Sequence, residues 1–544
     1  MNYIDSHIVT IIVFLPLAGA ILLAFLPRRE RDIRYFALAV SLVTLLASLH
    51  LPWYYVRGQE GFQFEQNAPW IAHPAIQYHL GVDGISMWLV VLTTFLMPLC
   101  VLISWRSISD RVKEFFILML VLETAMLGVF VALDLFLFYF FWEATLIPMA
   151  LIIGMYGHGR KIYAAIKFFL YTMIASMFML ASVIWLYAHT GSFDFVTIQH
   201  AIQTGQVDNF ATAAQWLFLG FFVAFAVKVP LFPVHTWLPD AHVEAPTAGS
   251  VLLASVLLKM GTYGLLRFNV GLFPEQARRN APWIVALAII GIIYGALVAM
   301  IQPNIKRLVA YTSVSHLGFV VLGIFSFTQL GVDGAVYQML NHGVSTGALF
   351  MLLGMIYDRR HTYDLSEYAG LATPMPVYAT FFAFIMLSSI GLPLLNGFIG
   401  EFLVLSGAFQ AKQLYGILGA TGVIWSSCYL LWMYQRMFYG NVTNPKNSTL
   451  SDIDARERVS LWPLAIAALV MGVAPNLWLH SIDPSVSAAL RQFSAATQAT
   501  PTATYNVRTP GSRSRAGAAG LMADTGVTST SPDSARRSAE GIGR

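Results

Sequence analysis

What most constrains this chain is a repetition: run after run of about twenty apolar residues with almost no charge inside. A helix needs about 20 such residues to cross the hydrocarbon core of a bilayer. Fourteen runs qualify, at roughly 8–26, 33–52, 85–104, 114–133, 135–156, 163–188, 215–233, 248–268, 282–300, 305–325, 334–357, 377–403, 413–439 and 459–479. No soluble fold buries that much apolar chain. Only 11% of the 544 residues are charged, and 38 Phe outnumber the 32 Lys and Arg, too little charge to cover an aqueous surface. The expected fold is an all-α polytopic membrane protein with about 14 transmembrane helices. The first run has Asp5 before it and Pro27-Arg28-Arg29 after it, which reads as a retained span rather than a cleaved signal.

The same inventory excludes several functions. A net charge of +4 is too thin and too scattered for nucleic-acid binding. Cys100 and Cys428 stand alone in apolar runs, without the spacing of a zinc or iron–sulfur site. There is no GxxxxGK[ST] phosphate loop and no strand–GxGxxG–helix dinucleotide motif. No cofactor is therefore expected in this chain.

Basic residues set the expected topology. Arg28, Arg29, Arg31 and Arg34 follow the first span, Arg106, Arg111 and Lys113 the third, Arg160 and Lys161 the fifth, Lys306 and Arg307 the ninth. Arg359 and Arg360 follow the eleventh, and Arg436, Lys446, Arg456 and Arg458 the thirteenth. The alternate loops hold Arg57, Lys412 and one exceptional group, Arg267, Arg278 and Arg279. By the positive-inside rule, both termini lie outside the cytoplasm. From Ser494 to Arg544 the chain is mostly Ala, Ser, Thr, Gly and Arg without apolar periodicity, the composition of a disordered tail.

Ionisable residues within spans are costly, at least about 2.5–3.5 kcal/mol each at mid-bilayer, and mark ion or proton paths. Glu123, Glu143, Lys228, Lys259 and Glu401 qualify, joined by His316 and His342. Glu143 and Lys228 each lie in an apolar run without a local counter-charge, so they are expected to pair with each other. At about 4 Å and an effective dielectric near 20 that attraction is worth about 4 kcal/mol, comparable to the penalty of burying the charge. A small change in their separation would then load or unload a proton. Lys228 sits beside Pro230 and Pro233, and Glu401 follows Gly391-Leu392-Pro393, so the seventh and twelfth helices are expected to be broken. Two broken helices of opposite direction, each with an ionisable residue, match inverted-repeat transporters. Ser255 lies one turn from Lys259, Thr312 and Ser313 beside His316, and Gln338 beside His342. A haem would need the two histidines to face one cavity, which nothing in the sequence enforces. Glu123 and Asp134 are spaced to share one face of the fourth helix, Asp134 at the membrane surface.

Several stretches resemble the antiporter-like membrane subunits of respiratory complex I. They are His-Leu-Gly-Val-Asp-Gly-Ile-Ser (79–86), Phe-Trp-Glu-Ala-Thr-Leu-Ile-Pro-Met (141–149) and Lys-Val-Pro-Leu-Phe-Pro-Val-His-Thr-Trp-Leu-Pro-Asp-Ala-His (228–242). Ala-Pro-Thr-Ala-Gly-Ser (245–250), Ala-Tyr-Thr-Ser-Val-Ser-His-Leu-Gly (310–318) and Asn-Gly-Phe-Ile-Gly-Glu-Phe (396–402) belong with them. Glu401, where sister subunits usually carry lysine, and the lack of a long C-terminal amphipathic helix mark one branch of that family. The resemblance covers about residues 1–485.

The resemblance implies a division into N-terminal helices (1–112), a first antiporter-like repeat of helices four to eight (113–270) and a second, inverted one of helices nine to thirteen (280–440). A C-terminal helix (455–485) and the tail (494–544) complete it. It implies a proton relay along the midplane, in which Glu143 modulates Lys228, Lys259 is central and Glu401 ends the second half-channel. His316 and His342 are the connecting histidines, and Glu123 is the carboxylate of the fourth helix. Flavin mononucleotide, iron–sulfur clusters and quinone would belong to partner subunits. The implied partners are other membrane-arm subunits, sister antiporter-like subunits among them, and membrane lipids. The implied place is the bacterial cytoplasmic (inner) membrane, with both termini periplasmic. The alternatives are a homologous subunit of a multisubunit cation/proton antiporter or membrane-bound hydrogenase, and a scaffold subunit with vestigial channels.

Overall fold

Lipid offers no hydrogen-bond partners, so an apolar run must satisfy its backbone within its own helix. The computed structural model describes residues 3–59 and 61–499 and follows that rule throughout. The chain begins with α1 (Tyr3–Phe25) and α2 (Glu30–Ser48), the latter extended by a short α3 (His50–Tyr54). An antiparallel hairpin of β1 (Gln63–Ile71) and β2 (Ile76–Val82) follows, paired from Gln63↔Val82 to Ile71↔Ile76. Next come α4 (Ser86–Ser107) and α5 (Val112–Val131). The fifth predicted span is kinked at Thr145 into α6 (Leu135–Ala144) and α7 (Leu146–Tyr156). Then follow α8 (Lys161–Thr190), the short α9 (Phe195–Gln203) and α10 (Phe210–Lys228).

The predicted break of the seventh helix is present. α10 stops at Lys228, and the chain resumes as α11 (Trp237–Glu244). Pro230 removes the N–H that the Ala226 carbonyl would have accepted. Leu231 N takes that carbonyl at 2.8 Å, and the Trp237 indole takes the Val227 carbonyl at 2.9 Å. The eighth span is α12 (Thr247–Leu252) and α13 (Leu258–Gly264), each continued by a π-helical stretch, Leu253–Leu257 and Leu265–Val270.

The second half holds α14 (Pro274–Met300), α15 (Ile305–Ile324) and α16 (Gln329–Arg360). The twelfth span is two half-helices, α17 (Pro376–Ile390) and α18 (Asn396–Ala411). Gly391 closes α17 at φ +85°, a left-handed conformation that suits glycine. The chain ends with α19 (Gln413–Phe438), a turn of α20 (Pro445–Ser448), α21 (Ala455–Val473) and α22 (Asn476–Ala499). Among the described residues twelve helices are long and apolar enough to cross a membrane. Ala455–Val473 and Asn476–Ala495 form a further pair bent by 66°. The protein is a multi-pass membrane protein.

Three local features differ from expectation. α22 stays helical to Ala499, past the Ser494 at which the expected tail begins; the rest of that tail lies outside the described residues. Asp134 lies beyond the end of α5 and is 1% exposed, because it caps α6 by accepting from Phe136 N and Leu137 N. Lys306 is no loop charge: it is 1% exposed in the first turn of α15, and its Nζ donates to the Ala245 carbonyl at 2.6 Å.

One construction occurs twice. Asp134, the N-cap of α6, forms an isolated β-bridge with Asp194, the N-cap of α9. Asn304, the N-cap of α15, forms one with Asp364, which caps the turn at Ser366. Between the two halves α16 runs buried from Gly331 to Ile356 and packs on α15, α18, α12 and α21. Its polar side chains must find partners on those neighbours.

Candidate proton relay

Each ionisable side chain sits on a helix that other helices enclose. Glu123, Lys228, Lys259, His316, His342 and Glu401 are all at most 4% exposed, while Glu143 is half-buried. Four of them lie in series. Lys259 Nζ donates to His342 Nδ1 at 2.5 Å, across eighty-three positions of sequence. The His342 and His316 rings lie 5.8 Å apart, centre to centre. His316 Nδ1 is 3.1 Å from Glu401 Oε1, which also accepts from Gln338 Nε2 at 3.3 Å.

Local structure explains how these groups meet. The π-helical stretch ahead of Lys259 displaces the backbone ladder, and Lys259 Nζ donates to the Ala254 carbonyl at 2.5 Å. Ser255 Oγ, in the same stretch, donates to the Gly343 carbonyl at 2.7 Å, pinning α16 beside His342. Glu401 packs against the break of the twelfth helix, where a Cβ on Gly391 would lie 3.0 Å from its Oε2. Gly400 lets α18 approach α16: a Cβ there would press on Gln338 Oε1 and come within 2.6 Å of Asn341 Nδ2.

His316 and His342 do face one cavity, together with Asn341, Ser345, Ser388 and Thr346, but its volume is about 10 Å³. That holds about one water and no macrocycle. Asn396 Nδ2 donates to Ser345 Oγ at 3.1 Å, and Ser388 Oγ donates to Asn396 Oδ1, so polar groups surround the cavity.

The expected Glu143–Lys228 pair is not in direct contact, although the two charges lie close enough to interact. No ion pair within 4.0 Å joins them. Lys228 Nζ lies over the rings of Trp142 (5.3 Å) and Phe168 (5.6 Å) and donates to Thr145 Oγ1 at 3.5 Å. Trp142 and Thr145 flank Glu143, so the ammonium rests against the kink between α6 and α7 while the carboxylate faces Tyr139 and Ser176. Opposite sign alone did not predict this, because the aromatic faces also solvate the cation. Gly261 brings the helices of Lys228 and Lys259 together, where a Cβ would lie 2.9 Å from the Phe225 carbonyl and from Val229 N. Glu123 stands apart: both carboxyl oxygens are buried without a hydrogen-bond partner among the described residues.

With this geometry in place, the relatives can be read. Residues 132–425 match the family model described as NADH:quinone oxidoreductase/Mrp antiporter, TM. Residues 12–130 match NADH-ubiquinone oxidoreductase chain 4, amino terminus. NADH-quinone oxidoreductase subunit M of Rhodobacter capsulatus is 46% identical over 508 residues, covering 90% of this chain and 98% of that one. The chain belongs to the subunit M/chain 4 family of NADH-quinone oxidoreductase. Another member, NADH-ubiquinone oxidoreductase chain 4 of Arabidopsis thaliana, is 43% identical over 479 residues, 88% of this chain and 95% of that one. A chain in the structure of respiratory complex I from Thermus thermophilus matches with a TM-score of 0.81 and 32% identity, over 89% of this chain and 99% of that one.

Sequence reasoning on this subunit M relative missed several groups around the relay. His242 is fully buried, stacked on Phe350 at 4.5 Å, with both ring nitrogens unpartnered among the described residues. Asn341, Ser345, Ser388 and Asn396 line or frame the cavity, yet neutral polar residues in an apolar run carry little signal of their own. Arg267, the exception to the positive-inside pattern, proves to be neutralised: its Nη2 lies 2.5 Å from Asp83 Oδ2, both largely buried.

Outside the spans, electrostatics fixes the hairpin. His79 on β2 is 2.6 Å from Asp194 Oδ2 through Nδ1 and 3.7 Å from Glu65 Oε2 through Nε2. Burial alone would lower the His79 pKa, but the hydrogen bond to Asp194 and the nearby Glu65 carboxylate outweigh it and hold it at about 9. Burial would raise Asp194, and the His79 hydrogen bond outweighs that, holding the carboxyl below its usual value.

Proposed function

We propose that this chain is a proton-translocating membrane subunit of NADH-quinone oxidoreductase, and that its protons move along Lys259, His342, His316 and Glu401. The observation that carries the reading is the buried series Lys259, His342, His316 and Glu401, hydrogen-bonded at both ends, with the two rings 5.8 Å apart between centres. A proton leaving Lys259 passes to His342 Nδ1, and the imidazole releases its other proton at Nε2. That nitrogen has no partner among the described residues, and the adjacent cavity, which His316 also lines, has room for one water that would bridge the two rings. His316 hands the proton to Glu401, whose carboxylate Gln338 holds in place. Histidine suits each step because its two nitrogens accept and donate on opposite sides.

Lys228 and Glu143 form the control element. In the present arrangement the ammonium rests on Trp142 and Thr145. Movement of the kinked α6–α7 segment that brings Glu143 to Lys228 would hold a proton there, and separation would release it toward Lys259. One proton crossing 100 mV costs about 2.3 kcal/mol, so the driving force comes from partners. Flavin, iron–sulfur and quinone chemistry is assigned to those partner subunits, and other membrane-arm subunits flank this one. The repeated N-cap bridges, Asp134↔Asp194 and Asn304↔Asp364, support two repeats of inverted direction. The loop arginines support termini on the periplasmic side of a cytoplasmic membrane, and the bacterial subunit M relatives support that membrane. Relatives named subunit M over nine-tenths of the chain favour this reading over an antiporter or hydrogenase subunit.

The test is Lys259→Met in the assembled complex, with Lys228→Ala and Glu143→Ala beside it. Proton translocation per electron should fall while NADH oxidation by the detergent-solubilised complex persists. Unchanged stoichiometry in Lys259→Met would sink the relay.

A further inference from the structure

A second cavity, of about 790 Å³, opens far from the relay, where the loop before β1, α9, the start of α10, the start of α14 and α22 converge. Its floor is the Asp83–Arg267 ion pair, whose charges cancel each other. Its walls carry the rings of Phe62, Phe195, Phe210 and Phe493 beside the amides of Gln199, Gln203, Gln276 and Gln492. At its rim stand Glu275 and Arg279, one turn apart on α14. The two do not meet within 4.0 Å, and neither has a partner among the described residues.

Tryptophans fix the depth of this rim. Trp283 is 38% exposed, one turn beyond Arg279, and Trp216 on the neighbouring α10 is 74% exposed. Such exposed indoles mark the headgroup level of a bilayer. They lie nine and six residues inward from the first residues of α14 and α10. Arg279 is therefore at about headgroup depth and Glu275 one turn further out, above walls of mixed rings and amides.

We propose that this cavity binds a zwitterionic phospholipid with a primary ammonium, phosphatidylethanolamine. The unspent charges are one carboxylate and one guanidinium, which match a dipolar headgroup rather than a net anion. The ammonium donates to Glu275, and the phosphate accepts from the Arg279 fork. The phenylalanine rings take the glycerol and the first methylenes. A cavity of this volume falls within the usual range of about 300–1,000 Å³ for a bound small molecule. Choline has no N–H to donate to Glu275, and an anionic glycerol headgroup would leave Glu275 facing like charge.

The experiment uses the purified complex in lipid nanodiscs with a photoactivatable phosphatidylethanolamine, and maps the labelled peptides. Label is expected on segments 195–210 and 485–495, displaced about tenfold better by unlabelled phosphatidylethanolamine than by phosphatidylcholine, the difference of one charge-assisted hydrogen bond. Glu275→Gln should erase that preference, and Arg279→Gln should weaken both competitors. Equal competition in the unmodified complex, stronger competition by phosphatidylglycerol, or label absent from these segments would each overturn the assignment. The first measurement needs no variant, so misassembly of a mutant cannot obscure it.

Discussion

Raising the pH should loosen the hairpin long before it disturbs the spans. His79 ties β2 to Asp194 at the N-cap of α9, and its pKa stands at about 9 instead of 6.5. That gap corresponds to about 3 kcal/mol. Breaking a buried pair by removing one partner costs a similar amount, about 3–5 kcal/mol. The folded value lies above the unfolded one, so the stabilisation is complete below pH 6.5 and drains away as pH rises through 9. Asp194 is held below its usual 3.8, so its share is present above about pH 4 and is lost only in stronger acid. The docked hairpin therefore has a plateau between about pH 4 and 6.5. Hydrogen exchange of the β1 and β2 amides, corrected for intrinsic rates, reads this directly. Protection should fall by about a hundredfold between pH 6.5 and 9. His79→Phe should start at the lower value and stay level across that range. Protection in the unmodified protein that does not change between pH 6.5 and 9 refutes the linkage.

Two further outcomes follow from close contacts. Gly400→Ala places a methyl against Gln338 Oε1 and Asn341 Nδ2; it should push Gln338 off Glu401 and lower the proton-to-electron ratio in the assembled complex without loss of assembly. Asp83→Leu strands the buried Arg267 guanidinium and should cost about 3–5 kcal/mol, seen as a lower thermal midpoint in detergent. Adding Arg267→Met should restore most of it, and a double variant no more stable than the single one would contradict the pairing.

Much of this was legible in the sequence because lipid makes polar residues conspicuous. Lys228, Lys259 and Glu401 announce themselves as charges in apolar runs, and Pro230, Pro233 and Gly391 announce the breaks beside them. Contact between helices was less legible. Lys259 meets His342 just after a π-helical stretch, and no periodicity encodes that stretch. Glu143 and Lys228 were matched by sign, but Trp142, Phe168 and Thr145 compete for the ammonium. The hairpin lacks a long apolar run, and α22 is interrupted by Pro484 and dilute in large apolar residues. A charge in a loop and a charge at a helix end look alike in sequence, which is why Lys306 was read as topology when it is buried.

The widened turn before Lys259 has a consequence of its own. A lysine at mid-bilayer ordinarily depends on water or a counter-ion to tolerate its charge. Here the Ala254 carbonyl, from the same helix, already ligates Nζ. The helix forgoes regular hydrogen bonding and thereby supplies part of an ammonium's solvation shell from its own backbone. The helix itself aims that dipole at Nζ, so this contact needs neither a water nor a second helix.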